Sequence, residues 1–447
     1  MIEERRGIYK LVYVLMALTI LLIPFNNLPY LNNILKELSF SATSYPMLIL
    51  MTIMAIYILK ESRIVKVKDK SIYILITFVI LCFIFSLFNI SEIMTNSFKG
   101  KTGIRRLVFQ YPMLAFGAVT SYCFYYFLRR TKITLWTIRR WVLFSTIIAS
   151  AYGFVEMLNM LNIIDTSEIL KAVSNVIQLY ARGELYPRGI RTVCGEASYF
   201  GMYAAFVLPW ILSYIYTEKE YWKKGISVVY ALYFIALVLL SKSRMGLLIF
   251  WLEFIIFTIG MIIMRGNWKK KIITFLLFPL VFLTSNIVNK VGFTEEVQYE
   301  NTASNATVGA VVESLNDENN MSNVARFSMM KAAFRIGNQH LLTGVGVGQY
   351  AFYATDNVEP DDYRSSEVTR WLDPEQTQYW PTVFALHARI YAENGIICFL
   401  IWVGLWAYIG ISLLIRYIKY NDIKTLILMS SVAGVLLACF NVDTYIY

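Results

Sequence analysis

Eleven times along its 447 residues this sequence returns to a window of roughly helix-spanning length that carries little or no charge. The windows lie near 11–29, 40–59, 71–90, 107–128, 141–160, 197–216, 225–240, 245–264, 272–289, 396–415 and 425–440. About 20 apolar residues in a helix cross the ~30 Å of hydrocarbon in a bilayer. With 57% hydrophobic and 16% charged residues, the chain also has too little polar surface to cover a soluble body of this size. It reads as an all-α polytopic membrane protein of eleven, or twelve, transmembrane helices. The windows at 225–240 and 425–440 are short, and Glu156 and Glu253 sit inside the fifth and eighth. The opening "MIEERRGIYK" leads into a full-length window with no small-residue cleavage site, so no cleaved signal is expected.

Lysine and arginine set the expected orientation. With the N-terminus cytoplasmic, the inner segments 1–10, 60–70, 129–140, 217–224, 265–271 and 416–424 hold 23 of the 41 basic residues. Every short inner loop is then basic, as the positive-inside rule requires. The net charge of +11 is thereby spent on topology, and a nucleic-acid partner is not expected. The chain divides into a bundle over 1–289, a large extracytoplasmic loop over 290–395 and terminal spans over 396–447. Outer segment 91–106 departs from the rule, with Lys99, Lys101, Arg105 and Arg106. It reads either as a loop too short to matter or as a cationic patch for a phosphate-bearing lipid head group. Four of the five cysteines lie inside the windows, with no metal-ligand spacing, so neither a disulfide framework nor a metal site is expected.

The outer side gathers the chemistry. Segments 161–196 and 290–395 are long for connections, which usually signals function or disorder. The stretch "ENTASNATVGAVVESLNDENN" is polar and reads as mobile. In "SNVARFSMMKAAFRIG", Val324, Phe327, Met330 and Phe334 repeat at helical spacing, which predicts an amphipathic helix with Arg326 beside its apolar stripe. The run "LLTGVGVGQYAFY" lacks the strand and the Lys-Ser/Thr of a nucleotide loop, so its glycines are read as allowing a tight turn against another element. "YPRGIRTVCGEASYFG" puts Arg188, Arg191, Glu196 and Tyr199 at the mouth of the sixth span, and "LLSKSRMGLLIF" puts Lys242 and Arg244 on a short turn. "ALHARIYAENG" adds His387 and Glu393 ahead of the tenth.

In order and in common side, "RGIRTVCGEASYFG", "SKSRMGLL", the arginine helix with "LLTGVGVGQY", and "HARIYAENG" resemble the signature series of the O-antigen polymerase and ligase family. The resemblance covers roughly 185–410. It implies a C-type glycosyltransferase architecture in the bacterial inner membrane, with the active site extracytoplasmic and with neither metal nor cofactor. Its donor would be an undecaprenyl-diphosphate-linked oligosaccharide, its surroundings the lipid bilayer, and its companions a flippase and a chain-length regulator. In the ligase branch a small polar residue usually follows the histidine. Ala388 stands there instead, which favours a polymerase over a ligase that transfers glycan to lipid A-core. Arginines suit a diphosphate because the guanidinium fork bonds it bidentately, making Arg188, Arg191, Arg244 and Arg326 the candidates, with Tyr199, Lys99 and Lys101 beside them. An imidazole, with a reference pKa of about 6.5, suits removal of a hydroxyl proton near neutrality. His387 is the expected base, with Glu196 or Glu393 as support. A lipid-linked oligosaccharide flippase is the rival of another class, but the halves show no duplicated pattern.

This topology predicts that reporter fusions placed after Lys68 and within 305–320 report opposite sides of the membrane. The same side for both would overturn the orientation.

Overall fold

The computed structural model describes residues 6–61, 67–180, 182–266, 268–292 and 320–445, with a few positions between 307 and 317. Most of the polar stretch 300–320 read as mobile lies outside them. All eleven apolar windows are helical over most of their length. Among the described residues, eight helices are long and apolar enough to cross a membrane: Lys70–Phe88, Gly103–Arg130, Leu135–Met160, Ala197–Thr217, Tyr221–Leu240, Arg244–Ile263, Trp268–Gly292 and Leu386–Tyr420. The other three windows fall short for local reasons. The first helix stops at Leu21, ahead of Pro24 and Pro29, which cannot continue it. The second window belongs to a bent pair, Asn32–Ser39 and Ser44–Lys60, at 98°. The last is the 16-residue helix Ile423–Ala438. Among the described residues the only sheet is a hairpin of Ser97–Phe98 with Lys101–Thr102. Its turn places Lys99 at φ 49° and Gly100 at φ 70°, the positive pair that a two-residue hairpin favours.

Contacts divide the chain into two compact units. The first comprises Met1–Tyr57, Phe127–Asn316 and Ser412–Leu436. Its Ala197–Thr217 helix is the most buried of the spans. A Cβ on Gly246 would come within 3.1 Å of Gly201 Cα, so this helix and Arg244–Ile263 meet backbone to backbone. Side-chain amides tie the adjoining irregular segments together: Asn27 donates to Gln178 Oε1 at 2.7 Å, and Asn26 accepts from Gly195 N at 2.8 Å.

The second unit comprises Ile58–Tyr126, Asp317–Ile411 and Leu437–Tyr447. In its Met321–Gln339 helix the buried face is not the expected stripe. Ala325, Met329, Ala332, Ala333 and Ile336 are buried, while Phe327 and Phe334 are exposed. Small residues win because the helix packs closely on Ala385, Ala388 and Ala392, and because Gly337 lies against the Tyr391 ring. Large aromatics cannot fit such a contact.

The Leu386–Tyr420 helix is broken at Gly395, with φ 70° and ψ −177°, a conformation essentially restricted to glycine. Trp402 nevertheless bonds His387, fifteen residues away, at 3.1 Å. In a straight helix those residues would lie about 22 Å apart. The chain therefore folds back on itself at Gly395, and 386–394 runs as a short helix beside 396–420. The glycine run fills the break: Val345 N donates to Ala392 O at 3.1 Å, Gly346 N to Glu393 O at 2.8 Å, and Ile396 N to Leu341 O at 2.7 Å. A Cβ on Gly344 would run into the 393–394 backbone. The expected tight turn against another element is this one.

Gly395→Ala should cost on the order of 1–3 kcal/mol in backbone strain alone, with a further clash against the Leu342 carbonyl. Thermal unfolding in detergent should show a midpoint lowered by several degrees; an unchanged midpoint would mean that the reversal does not need glycine.

Candidate functional site

In the first unit, the irregular segment 184–196 lies over the end of the Tyr221–Leu240 helix. Ile190 N donates to Leu240 O at 3.1 Å. A Cβ on Gly189 would strike Ser241 O and Leu240 O, so glycine is what admits the crossing. The segment roofs a pocket of about 200 Å³ whose lining includes the cations Arg188, Arg191 and Lys242, the carboxyls of Glu156 and Glu184, and the polar side chains of Tyr152, Asn159 and Tyr186. Arg191 is 2% exposed and held from several sides. Its Nη1 donates to Gly195 O at 3.2 Å, and its guanidinium lies 4.8 Å from the centre of the Tyr186 ring. Glu156 Oε2 accepts from Thr192 N at 2.7 Å. Tyr186 accepts from Ala197 N at 3.2 Å, and burial raises its phenol above the ordinary value. Lys242, at φ 54° on the turn before the Arg244–Ile263 helix, is half-buried, and burial lowers its ammonium from the usual lysine value. Arg188 is exposed. The arrangement is a rigid arginine at the back of a recess, with Arg188 and Lys242 as further cations around it. This chemistry receives an anion.

Other first-unit candidates are placed differently. Arg244 is 5% exposed and opens its helix, one residue after the Ser243 cap; it does not line the pocket. Glu196 caps the Ala197–Thr217 helix and is exposed, with Ser198 Oγ bonded to its Oε2 at 3.5 Å. Tyr199 lies in the first turn of that helix, half-buried.

In the second unit, Arg326 and His387 face one turn of the C-terminal segment. Arg326 Nη1 donates to Asn441 Oδ1 at 3.1 Å and stands over the Phe384 ring at 5.3 Å. The ring centres of His387 and Phe440 are 4.6 Å apart. Trp402 has only a donor, so His387 Nδ1 is the acceptor of their bond and the neutral ring carries its proton on Nε2. Glu393 is 1% exposed, with both carboxylate oxygens engaged: Oε1 by Arg389 Nε at 3.1 Å and Oε2 by Tyr445 O–H at 2.6 Å. At that burial it presents no oxygen at the surface.

The cationic patch read in 91–106 is mostly consumed internally. Lys99 is 7% exposed and gives its ammonium to the carbonyls of Arg370, Gln376 and Tyr379 at 3.0, 3.0 and 2.6 Å. All three of its donors are thereby used, so it ties a loop instead of meeting a head group. Lys101 and Arg106 stand over the Trp380 ring at 4.4 and 4.9 Å. Lys242, Glu156 and Arg389 carry parts of the architecture that the sequence pattern did not assign to them. Lys242 was visible beside Arg244, Glu156 had the appearance of a flaw in a span, and nothing local marked Arg389. Among the described residues, no three His, Cys, Asp or Glu side chains gather in a metal-holding group.

A family model described as O-antigen ligase matches residues 229–403. No curated protein matches the sequence. The matched segment includes Lys242, Arg244, Arg326, His387 and Glu393 and begins after Arg188 and Arg191.

Lys99→Met, which keeps the stem and removes the three donors, should lower the unfolding midpoint by several degrees, since buried carbonyls left without partners cost about 1–3 kcal/mol. The KM for a lipid-linked donor should not move. A raised KM at unchanged stability would restore Lys99 to the head-group site.

Proposed function

We propose, from the likeness of residues 229–403 to the O-antigen ligase family model, that this chain is a membrane glycosyltransferase taking a glycan from undecaprenyl diphosphate at the outer face of a bacterial inner membrane. The observation that carries this reading is the recess around Arg191, with Arg188 and Lys242 in its lining. A diphosphate leaving group develops charge as its bond to the anomeric carbon breaks, and fixed guanidinium groups in a partly dry recess stabilise that charge without reorganising. Arg191 is fixed by Gly195 and Tyr186, so it contributes a preset donor edge. Arg188, at the surface, is the cation able to follow the substrate in.

The acceptor hydroxyl oxygen bonds to the anomeric carbon as the carbon–diphosphate bond breaks. The bonding pair leaves on the diphosphate, and the hydroxyl proton passes to a base. Glu393 has both oxygens engaged, and His387 has its acceptor nitrogen engaged. Glu196 is the exposed carboxylate, and we assign it the base role in place of His387. On the second unit by itself, His387 offers its Nε2 proton and Arg326 its charge as groups that can meet a glycan. Arg244 acts from a buried position and orients the turn that carries Lys242. Polymerisation of repeat units is preferred over transfer to a lipid acceptor because Ala388 follows His387. Packing also calls for a small residue at 388, so the preference stands to be decided by product analysis.

The test is reconstitution in liposomes with a lipid-linked oligosaccharide repeat, with and without a lipid A-core acceptor. A ladder of chain lengths from the repeat alone supports polymerase; product only when the acceptor is present supports ligase; no product in either overturns the reading. Arg188→Lys, which keeps the charge and loses the fork, should reduce turnover about 10-fold to 100-fold at normal protein yield. Glu196→Gln should reduce it about 100-fold or more.

A further inference from the structure

The Arg244–Ile263 span carries a carboxylate with no use in the site above. Glu253 is fully buried, and among the described residues neither of its side-chain oxygens has a hydrogen-bond partner. A lone ionised carboxylate in an apolar interior is too costly to persist, so something neutralises it. The oxygens around it say what. Pro209 lies inside the Ala197–Thr217 helix and has no N–H, so the carbonyl of Ala205, four residues earlier, lacks its helical donor. A Cβ on Gly434 would fall 2.9 Å from that carbonyl oxygen and 3.2 Å from Glu253 Oε2, which shows both oxygens converging on one bare glycine. Ser430 stands one turn before Gly434, on the same face of the Ile423–Ala438 helix; its hydroxyl is fully buried and also has no partner among the described residues. Two helices of the first unit thus bring Glu253 Oε2 and the freed Ala205 carbonyl to one glycine of a third, with the buried Ser430 hydroxyl one turn away along that third helix.

We infer that Glu253, Ala205 O and Ser430 Oγ form a binding site for a small monovalent cation of the sodium type. A proton on Glu253 can be shared with only one neighbouring oxygen. A cation satisfies these oxygens together, and hard cations take oxygen ligands of this mixture, including carbonyls freed from helix geometry. The charge is monovalent because the set holds one carboxylate and otherwise neutral oxygens. Gly434 is required because any side chain there would meet the ligand oxygens. Bound ion would couple the Ala197–Thr217 and Arg244–Ile263 helices, whose outer ends carry Glu196 and Arg244.

The inference is tested by thermal unfolding of the purified full-length protein in detergent, with sodium chloride exchanged for N-methyl-D-glucamine chloride at constant ionic strength and pH. A ligand that binds only the folded state raises the midpoint saturably. The expected result is a rise of a few degrees with sodium, absent in Glu253→Gln and requiring about 10-fold more sodium in Ser430→Ala. Equal midpoints in the two salts for the unsubstituted protein, or an undiminished sodium response in Glu253→Gln, would overturn it. If Glu253→Gln fails to fold, the unsubstituted titration and Ser430→Ala still decide the matter. None of these outcomes depends on the glycosyl-transfer reading.

Discussion

A buried guanidinium holds the second unit together. Arg389 donates to Glu393 Oε1, to Asp443 O at 2.6 Å and to Gln110 Oε1 at 2.8 Å, with its plane 4.4 Å from the Tyr445 ring centre. It thereby joins the Gly103–Arg130 helix, the short helix before Gly395 and the C-terminal segment through one side chain. Removing one member of such a buried pair commonly costs about 3–5 kcal/mol, because the other is left charged in a dry place. The Glu393 carbonyl, in the same turn, accepts the Gly346 bond that covers the break at Gly395. The reversal sets His387 beside Trp402, and the C-terminal segment presents Asn441 to Arg326. Their placement therefore descends from an ion pair that touches neither of them.

The membrane imposes the complementary rule. Where lipid surrounds the chain, each backbone N–H and C=O must find a partner within its own helix, so chemistry that needs irregular backbone is pushed to the ends of the spans. The segment 184–196, the turn at 241–243 and the loop 341–346 are such ends, and each is fixed by glycine or by a positive φ where it crosses a helix. Tight fixing is what a diphosphate site wants, because a preset donor needs no reorganisation during bond breaking.

Much of this was legible in the sequence. The apolar windows gave the helices because period and length are strong signals, and "LLTGVGVGQY" gave the tight turn because only glycines tolerate it. "YPRGIRTVCGE" singled out Arg188 and Arg191, which the fold brings into the lining of one recess, while its carboxylate, Glu196, stands outside that lining. What failed depended on partners far along the chain. Lys99 had the appearance of a surface cation until the carbonyls of Arg370, Gln376 and Tyr379 claimed it. Phe327 and Phe334 faced inward by spacing, yet the alanines at 385, 388 and 392 require an equally small face opposite. The reversal at Gly395 was hidden because residues on both sides of it are helical, and nothing local marked the bond from Trp402 to His387 Nδ1.

Recognition of a diphosphate by the recess around Arg191 is what the glycosyl-transfer reading stands on. Equilibrium binding of a radiolabelled short-chain prenyl diphosphate to the detergent-purified protein, competed by the matching prenyl monophosphate, tests it without relying on turnover. The diphosphate is expected to bind at least about 10-fold more tightly, a difference of about 1.4 kcal/mol for an added phosphate held by a guanidinium fork. Equal competition by the two would mean that only the prenyl chain is recognised, and the recess would then have no claim to the leaving group.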